Sequence, residues 1–170
     1  MDSAAVYDGA PTTTISGLTW LEGEEVSVLT DGAVHPNRTV TSGSISLQVE
    51  ASVVVVGLPF DAILKTMPIE AGAADGIAQG KTMRLNNMVI RLHQTGPGLF
   101  YGSSLTQLDE LHPRTTTMDM DEAIPLFTGD TPALPYPGNY EQSPQIVIKH
   151  SLPTPCTVIA LMPQLVTYDR

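Results

Sequence analysis

Apolar and polar residues alternate with a period of two along most of the chain, a pattern typical of β-strands. In "SISLQVEASVVVV" this alternation predicts one strand face made of Ile45, Leu47, Val49, Ala51, Val53 and Val55. The run indicates one half-buried strand, or two strands joined at Glu50. In "EEVSVLTDGAVHPNRTV", Asp31-Gly32 is the turn signal of a two-residue hairpin. Residues 12–57 are therefore predicted to form a compact antiparallel meander or small barrel.

A second long strand is predicted in "KTMRLNNMVIRLHQT", where the apolar residues change phase at Asn86-Asn87. The apolar residues are Met83 and Leu85 before the change, and Met88, Ile90 and Leu92 after it. A β-bulge at the two asparagines explains the change, because one extra residue reverses which face of a strand is apolar.

Weaker signals predict the remaining elements. Residues 60–66 are predicted to form one more strand, which ends at Pro68. The runs "QIVIKH" and "CTVIALMPQLVTY" are predicted to pair as a final hairpin with a wide turn. In "SSLTQLDELH", leucines at a spacing of three favour a short helix or 3₁₀ turn.

Together these elements predict an all-β fold with two small antiparallel β-sandwich or barrel subdomains and long Pro/Gly-rich loops. The subdomains are predicted at residues 1–70 and 80–170, joined by a linker loop at residues 71–79. Composition agrees with many turns, since the 170 residues include 14 glycines and 14 prolines. Apolar residues make up 42% of the chain, enough to build a core.

The charge balance bears on the predicted partners. The formal net charge is −10, and the eight basic residues are spread along the chain. Tight binding of nucleic acid needs clustered Lys and Arg to displace counterions from phosphates. We therefore expect neither tight nucleic-acid binding nor attachment to an anionic membrane surface. The single cysteine, Cys156, lies in the apolar run "CTVIALM" and is interpreted as a small buried hydrophobe rather than a reactive thiol.

Residues 75–82, "DGIAQGKT", approach the phosphate-binding pattern G-x-x-x-x-G-K-[ST] without matching it. Asp75 stands where the first glycine is needed, and a carboxylate there opposes phosphate binding. A phosphate-binding loop also opens a helix, whereas Gly80-Lys81-Thr82 is predicted to lead into a strand. We therefore predict no nucleotide site and no cofactor.

Two groups of residues are candidate sites. Asp119, Asp121 and Glu122 in "MDMDE" offer oxygen ligands to a divalent cation, but they lack the EF-hand spacing and are better interpreted as a solvated acidic loop. No histidine pair stands at metal-ligand spacing. A candidate ligand platform consists of the aromatic residues Trp20, Phe100, Tyr101, Tyr136 and Tyr140. No catalytic set is apparent, and the chain is not predicted to be an enzyme.

Several strings, taken together and in order, carry a family resemblance. They are "LTWLEGEEVSVLTDGAVHPNRTVTSGSISL", "ASVVVVGLPFDAILKTMPIE", "QGKTMRLNNMVIRLHQT", "PLFTGD" and "CTVIALMPQLVT". The chain resembles, from about Asp2 to Asp169, the C-terminal region of large tail structural proteins of tailed bacteriophages and prophages. This chain departs from the family at Thr82-Met83-Arg84, where relatives are often basic, so a charge-dependent contact there does not carry over.

The resemblance implies a structural virion protein of the tail tube, nozzle or hub region, made in the bacterial cytoplasm. Its implied partners are copies of itself and other phage tail proteins. The matching region usually ends a chain several times longer, so the resemblance implies two alternatives: this sequence is one piece of a virion protein, or it is a chain expressed without its N-terminal part. Residues 20–32 are similar to a small β-barrel half-domain of ubiquitin-activating enzymes, but residues 12–57 contain no cysteine, so ubiquitin chemistry is not implied.

Two alternative functions stay open. A receptor- or carbohydrate-binding tail module predicts that the aromatic platform is exposed. A tail-associated hydrolase predicts a cleft in which carboxylates and histidines converge.

Overall fold

The structure is a computed structural model that describes residues 1–70, 72–73, 76–77, 80–115, 118 and 122–168. Its strands are β1 Asp2–Ser16, β2 Glu25–Thr30, β3 Ala33–Thr39, β4 Ser44–Leu58, β5 Ala62–Lys65, β6 Gly72–Ala73, β7 Gly76–Ile77, β8 Thr82–Thr95, β9 Leu99–Ser104, β10 Gln107–Leu111, β11 Phe127–Asp130, β12 Leu134–Pro135, β13 Val147–His150 and β14 Val158–Tyr168. A 3₁₀ turn spans Thr19–Leu21, and no α-helix occurs in the described ranges. The predicted all-β fold of small antiparallel sheets is confirmed.

The chain forms two compact units. The first contains Met1–Asp61, Pro113–Pro125 and Ser151–Thr154, and the second contains Ala62–His112, Leu126–His150 and Pro155–Arg170. This division differs from the predicted boundary, because β5 pairs with β13 and so belongs to the second unit. The predicted linker, residues 71–79, lies largely outside the described residues.

The first unit is a four-stranded sheet in the order β1-β4-β2-β3. Strands β2 and β3 form the predicted hairpin, and both turn residues, Asp31 and Gly32, have positive φ, as a type I′ turn requires. The core of this unit consists of Ile15, Leu18, Leu21, Val26, Val28, Val40, Ile45, Leu47, Ala51, Val54 and Val56.

The predicted single apolar face of β4 is wrong in its second half. Ile45, Leu47 and Ala51 are buried, but Val49 is 73% exposed. Farther along, the even-numbered Val54 and Val56 are the fully buried positions, and Val53 is exposed. The pairing of β4 with β1 shifts register on both sides of Ala51, and the net extra residue in β4 reverses its alternation.

The second unit contains two sheets of several strands. One has the order β10-β9-β13-β5, and the other has β8 between β14 on one side and β11 and β12 on the other. Both sheets contribute to one core, formed by Leu85, Met88, Ile90, Leu92, Leu99, Tyr101, Tyr136, Ile146 and Ile148. The short strands β6 and β7 pair with each other in a separate two-stranded sheet.

The predicted bulge in β8 is confirmed. Asn87 pairs with Gln164 and Leu85 pairs with Leu165, so Asn86 is the extra residue. Because of it, Met83 and Leu85 before the bulge and Met88, Ile90 and Leu92 after it are all buried. Strand β8 begins at Thr82, so "GKT" leads into a strand as predicted; Asp75 lies outside the described residues.

Two other predictions are wrong. Leu105 and Leu108 do not lie on a helix, because "SSLTQLDELH" contains the end of β9, a tight turn and β10. Strands β13 and β14 do not pair with each other; β13 lies between β9 and β5, whereas β14 pairs with β8. Each strand pairs along its full length with strands that are distant in sequence.

Candidate functional site

The predicted acidic site has little support in the described residues. Glu122 is exposed, and Asp119 and Asp121 lie outside the described ranges. Within the part of the chain that the structure describes, no three His, Cys, Asp or Glu side chains are grouped to hold a metal ion. Cys156 is half-buried against the second core, and burial raises the pKa of its thiol, which favours the unreactive protonated form.

The predicted aromatic platform is not a single exposed surface. Tyr101 and Tyr136 are buried in the core of the second unit. Phe100, which precedes Tyr101 in β9 and so lies on the opposite face of the strand, is half-buried. Only Trp20, in the first unit, and Tyr140, in the second, are exposed. Sequence composition identifies an aromatic residue but not the face on which it lies, so the platform prediction is wrong for Tyr101 and Tyr136.

Tyr136 instead anchors the loop that it begins. Its backbone N–H donates to the Asn86 carbonyl at 3.0 Å, the carbonyl of the β8 bulge. Its hydroxyl lies 2.6 Å from the Gly102 carbonyl and 2.8 Å from the Gln145 carbonyl, and its one proton is donated to either acceptor. Burial, with the nearby charge of Glu141, raises the pKa of this hydroxyl, so it stays protonated and keeps donating.

An open groove lies against this anchored loop. Its volume is about 440 Å³, within the range of about 300–1,000 Å³ that is usual for ligand pockets. Most of its lining consists of polar side chains: Arg84 from β8, Thr106 from the turn between β9 and β10, Gln107 and Asp109 from β10, and Asn139. Leu108, Tyr136, Pro137 and Gly138 complete it. We call this feature the Arg84–Asp109 groove.

The β9–β10 connection approaches β9 closely beside this groove. A Cβ atom added to Gly102 would collide with the Gln107 carbonyl oxygen, so only glycine permits this approach. The Gln107 side chain accepts a hydrogen bond from the Ser103 hydroxyl at 3.0 Å. The Thr106 hydroxyl shares a hydrogen bond with the Ser104 hydroxyl at 3.0 Å. The polar groups on this side of the groove are therefore held in place by neighbours on the same hairpin.

Arg84, which lines the groove, also contacts a pair of tyrosines, since Tyr140 packs against it and Tyr168 packs against Tyr140. The guanidinium carbon of Arg84 is 5.5 Å from the centroid of the Tyr140 ring, in cation–π contact. The Tyr140 and Tyr168 hydroxyls share a hydrogen bond at 3.3 Å, and their rings meet edge to face with centroids 5.2 Å apart. The hydrogen bond with Tyr168 is the main cause that lowers the pKa of Tyr140, and the hydrogen bond with Arg84 lowers it further. These contacts orient Arg84 at the groove.

A different kind of surface is found at β5, the end strand of its sheet. Ile63 is 51% exposed and Leu64 is 49% exposed. Because successive side chains of a strand point to opposite faces, apolar groups are exposed on both faces of this strand. Met67, just beyond it, is 82% exposed. We call Ile63, Leu64 and Met67 the β5 edge.

Sequence reasoning missed the groove and the β5 edge. The groove joins Arg84, Asp109 and Asn139, which are far apart in the chain. Residues 60–66, which include Ile63 and Leu64, were predicted as a strand, but the exposure of these side chains depends on the position of β5 at the end of a sheet. The only sequence signal was the concentration of apolar residues in "AILKTM", a short run without polar alternation.

Comparisons with known proteins add no identity. No protein-family model matches the chain, and no curated protein matches it significantly. Among the described residues, the structure also shows no helix that is long and apolar enough to cross a membrane.

Proposed function

We propose that this chain is a structural component of a bacteriophage tail, in the tube, nozzle or hub region, which acts by self-assembly and contacts between subunits. The β5 edge is the observation that carries the proposal. Proteins usually protect the end strands of their sheets with charges, prolines or covering elements, because an exposed edge pairs readily with another chain. Here large apolar side chains lie on both faces of such a strand.

Assembly through this edge has two sources of free energy. Fully burying an aliphatic side chain such as Ile63 or Leu64 contributes about 1.5–3 kcal/mol, and each of them is about half exposed in the single chain. The outer backbone edge of β5, which pairs with none of the described strands, adds hydrogen bonds if a neighbouring strand extends the sheet. Repetition of the same contact around a closed ring would bury the edge of every copy.

The charge of the chain supports a position around a DNA passage. The net charge of −10 opposes the accumulation of phosphate groups at the protein surface. A ring of such chains is suited to a conduit that DNA crosses without adhering. The partners in this proposal are copies of the chain and other tail proteins, and the site of action is the virion after synthesis in the bacterial cytoplasm.

The test is the mass of the purified chain in solution, measured by light scattering after size exclusion over a range of concentrations. We expect a discrete oligomer, visible as rings by negative-stain electron microscopy. Ile63→Lys places a charge on the β5 edge and is expected to shift the mass toward the 18.1 kDa of one chain. Gln48→Lys adds the same charge at an exposed polar position of β4 and is the control.

Two outcomes contradict the proposal. A strict monomer at concentrations up to about 1 mM would mean that this chain carries no self-assembly contact of useful affinity. An oligomer that Ile63→Lys leaves intact would place the contact elsewhere and remove the β5 edge as its basis. Circular dichroism of each variant establishes that it is folded.

A further inference from the structure

We propose that the Arg84–Asp109 groove binds a neutral saccharide. This binding function goes beyond assembly and does not depend on it, because the groove lies within the second unit of a single chain and is distinct from the β5 edge. Its size fits a small ligand, whereas its lining is too polar for an apolar one.

The polar groups of the groove match the hydroxyl groups of a sugar. Each sugar hydroxyl both donates and accepts a hydrogen bond. The Arg84 guanidinium only donates, the Asp109 carboxylate only accepts, and the Asn139 amide does both. Planar groups of this kind can bond two adjacent hydroxyls at once, and bonds to their charged members are stronger than neutral ones.

The groove also offers apolar surface for the C–H face of a sugar ring. Leu108 and Pro137 lie beside the polar groups. The exposed Tyr140 ring contacts Arg84 and lies beside the groove rather than in its lining. Aromatic rings supply rigid contact area with few side-chain torsions to restrict on binding.

The loop that carries Asn139 is held in place before any ligand binds. It starts at Tyr136, which is fixed by its backbone bond to Asn86 and by its hydroxyl bond to the Gly102 or Gln145 carbonyl. The Gly138 N–H then donates to the Tyr136 carbonyl at 2.9 Å, closing the turn before Asn139. A preformed loop lowers the entropy lost on binding.

The charges favour a neutral ligand over an anionic one. Arg84 alone would attract a phosphate or a carboxylate, but the Asp109 carboxylate lies on the same groove. The chain carries a net charge of −10, which further opposes the approach of an anion.

The experiment measures saturation transfer from the full chain to ligand protons by NMR, a readout that tolerates oligomers. The probes are maltose, lactose and N,N′-diacetylchitobiose, with glucuronate as the anionic comparison. We expect saturable transfer from at least one neutral probe below about 10 mM, and weaker transfer from glucuronate. A labelled chain on a glycan array then identifies longer saccharides that bind more tightly.

Two substitutions in the groove locate the binding. Asp109→Asn keeps the shape of the side chain but replaces a carboxylate acceptor, and Asn139→Ala removes an exposed amide. Each is expected to weaken binding by about tenfold or more, because a hydrogen bond to the ligand is lost or weakened. Asp8→Asn makes the same charge change on β1 of the first unit and is the matched control, with no change expected.

Three results would overturn the inference. They are the absence of saturable transfer from all neutral probes, glucuronate binding more tightly than every neutral probe, and wild-type affinity in both groove variants. Both substituted positions are exposed, so the variants are expected to fold, and thermal denaturation compares them with the unchanged chain. The wild-type titration tests the inference even if one variant unfolds.

Discussion

Strand β4 of the first unit and strand β8 of the second both change the face that they turn to the core part-way along their length. In β4 the buried residues pass from odd to even numbers between Ala51 and Val54. In β8 they pass from odd to even numbers across Asn86. Only the change in β8 was predicted, because its two asparagines interrupt the apolar pattern, whereas the uniform "VVVV" of β4 shows no phase.

The two irregular strands also satisfy their backbone groups differently. In β4, the Asp31 carboxylate accepts from the N–H of Val53 at 2.8 Å and of Ser52 at 3.2 Å. The Gln48 N–H donates to Nε2 of His35 at 3.1 Å, which leaves the ring proton on Nδ1, 2.7 Å from the Pro36 carbonyl. In β8, the Asn86 carbonyl instead accepts from the backbone N–H of Tyr136. The β4 irregularity thus depends on side chains, and the β8 bulge depends on a neighbouring backbone.

The largest expected effect comes from deleting Asn86, which removes the bulge. Either the residues before the deletion or those after it must then change faces. The smaller loss is that of Met83 and Leu85, so at least two buried apolar side chains would leave the core. Each buried apolar side chain contributes about 1.5–3 kcal/mol, so the loss approaches the whole free energy of unfolding of a small domain. Urea denaturation followed by circular dichroism measures it.

The matched variant for this deletion is Asn86→Ala. It keeps the residue count and removes only an exposed side chain, so the free energy of unfolding should change by less than about 0.5 kcal/mol. If the deletion were as stable as Asn86→Ala, the bulge would not determine which face of β8 is buried.

A smaller effect tests the phase of β4. Val54 is fully buried and Val53 is 42% exposed, although the two are adjacent and chemically identical. Val54→Ala is expected to lower the free energy of unfolding by about 2 kcal/mol, through lost burial and a cavity. Val53→Ala is expected to change it by less than about 0.5 kcal/mol. Equal losses in urea denaturation would contradict the change of face.

A third prediction concerns the side chain that supports β4. Asp31 has a positive φ of 46°, which glycine and asparagine also tolerate. Asp31→Gly therefore removes the acceptor without straining the turn, and is expected to lower the free energy of unfolding by about 1–2 kcal/mol. Asp31→Asn keeps one acceptor oxygen and should lose less. Thermal denaturation of both variants measures the difference, and equal stability would show that the carboxylate bonds contribute nothing.

The smallest expected effect is the pH dependence of stability that arises from His150, the buried histidine of the second unit, whose counterpart in the first unit is His35. His35 accepts a backbone N–H, whereas burial lowers the pKa of His150 below its ordinary 6.5. Below pH 6.5 the unfolded chain therefore binds a proton that the folded chain resists, so stability falls as the pH falls toward the folded pKa. Above pH 6.5 the imidazole is largely neutral in both states, so the stability associated with a neutral His150 is fully present there.

Urea denaturation of the unchanged chain and of His150→Gln, between about pH 7.5 and about pH 5, tests this contribution. The midpoint for the unchanged chain should fall more steeply with acid than that of the variant. Parallel curves would mean that His150 does not contribute to the acid sensitivity of the second unit.

Local features were predictable because they depend on residues that are neighbours in the chain. The alternation of period two determined the all-β class, Asp31-Gly32 the first hairpin, and the polar pair at Asn86-Asn87 the bulge of β8. Each of these features involves an interaction that spans only a few residues, so its signal lies within one short window of sequence.

Only the tertiary structure decided which strands pair, which face of β4 is buried, and where the aromatic residues lie. Strand β14 pairs with β8 rather than β13, Tyr101 and Tyr136 are buried, and Arg84, Asp109 and Asn139 line one groove. These outcomes depend on contacts between segments far apart in the chain, where several pairings satisfy the same apolar pattern. The choice among them rests on packing and on backbone hydrogen bonds that exist only in the folded molecule.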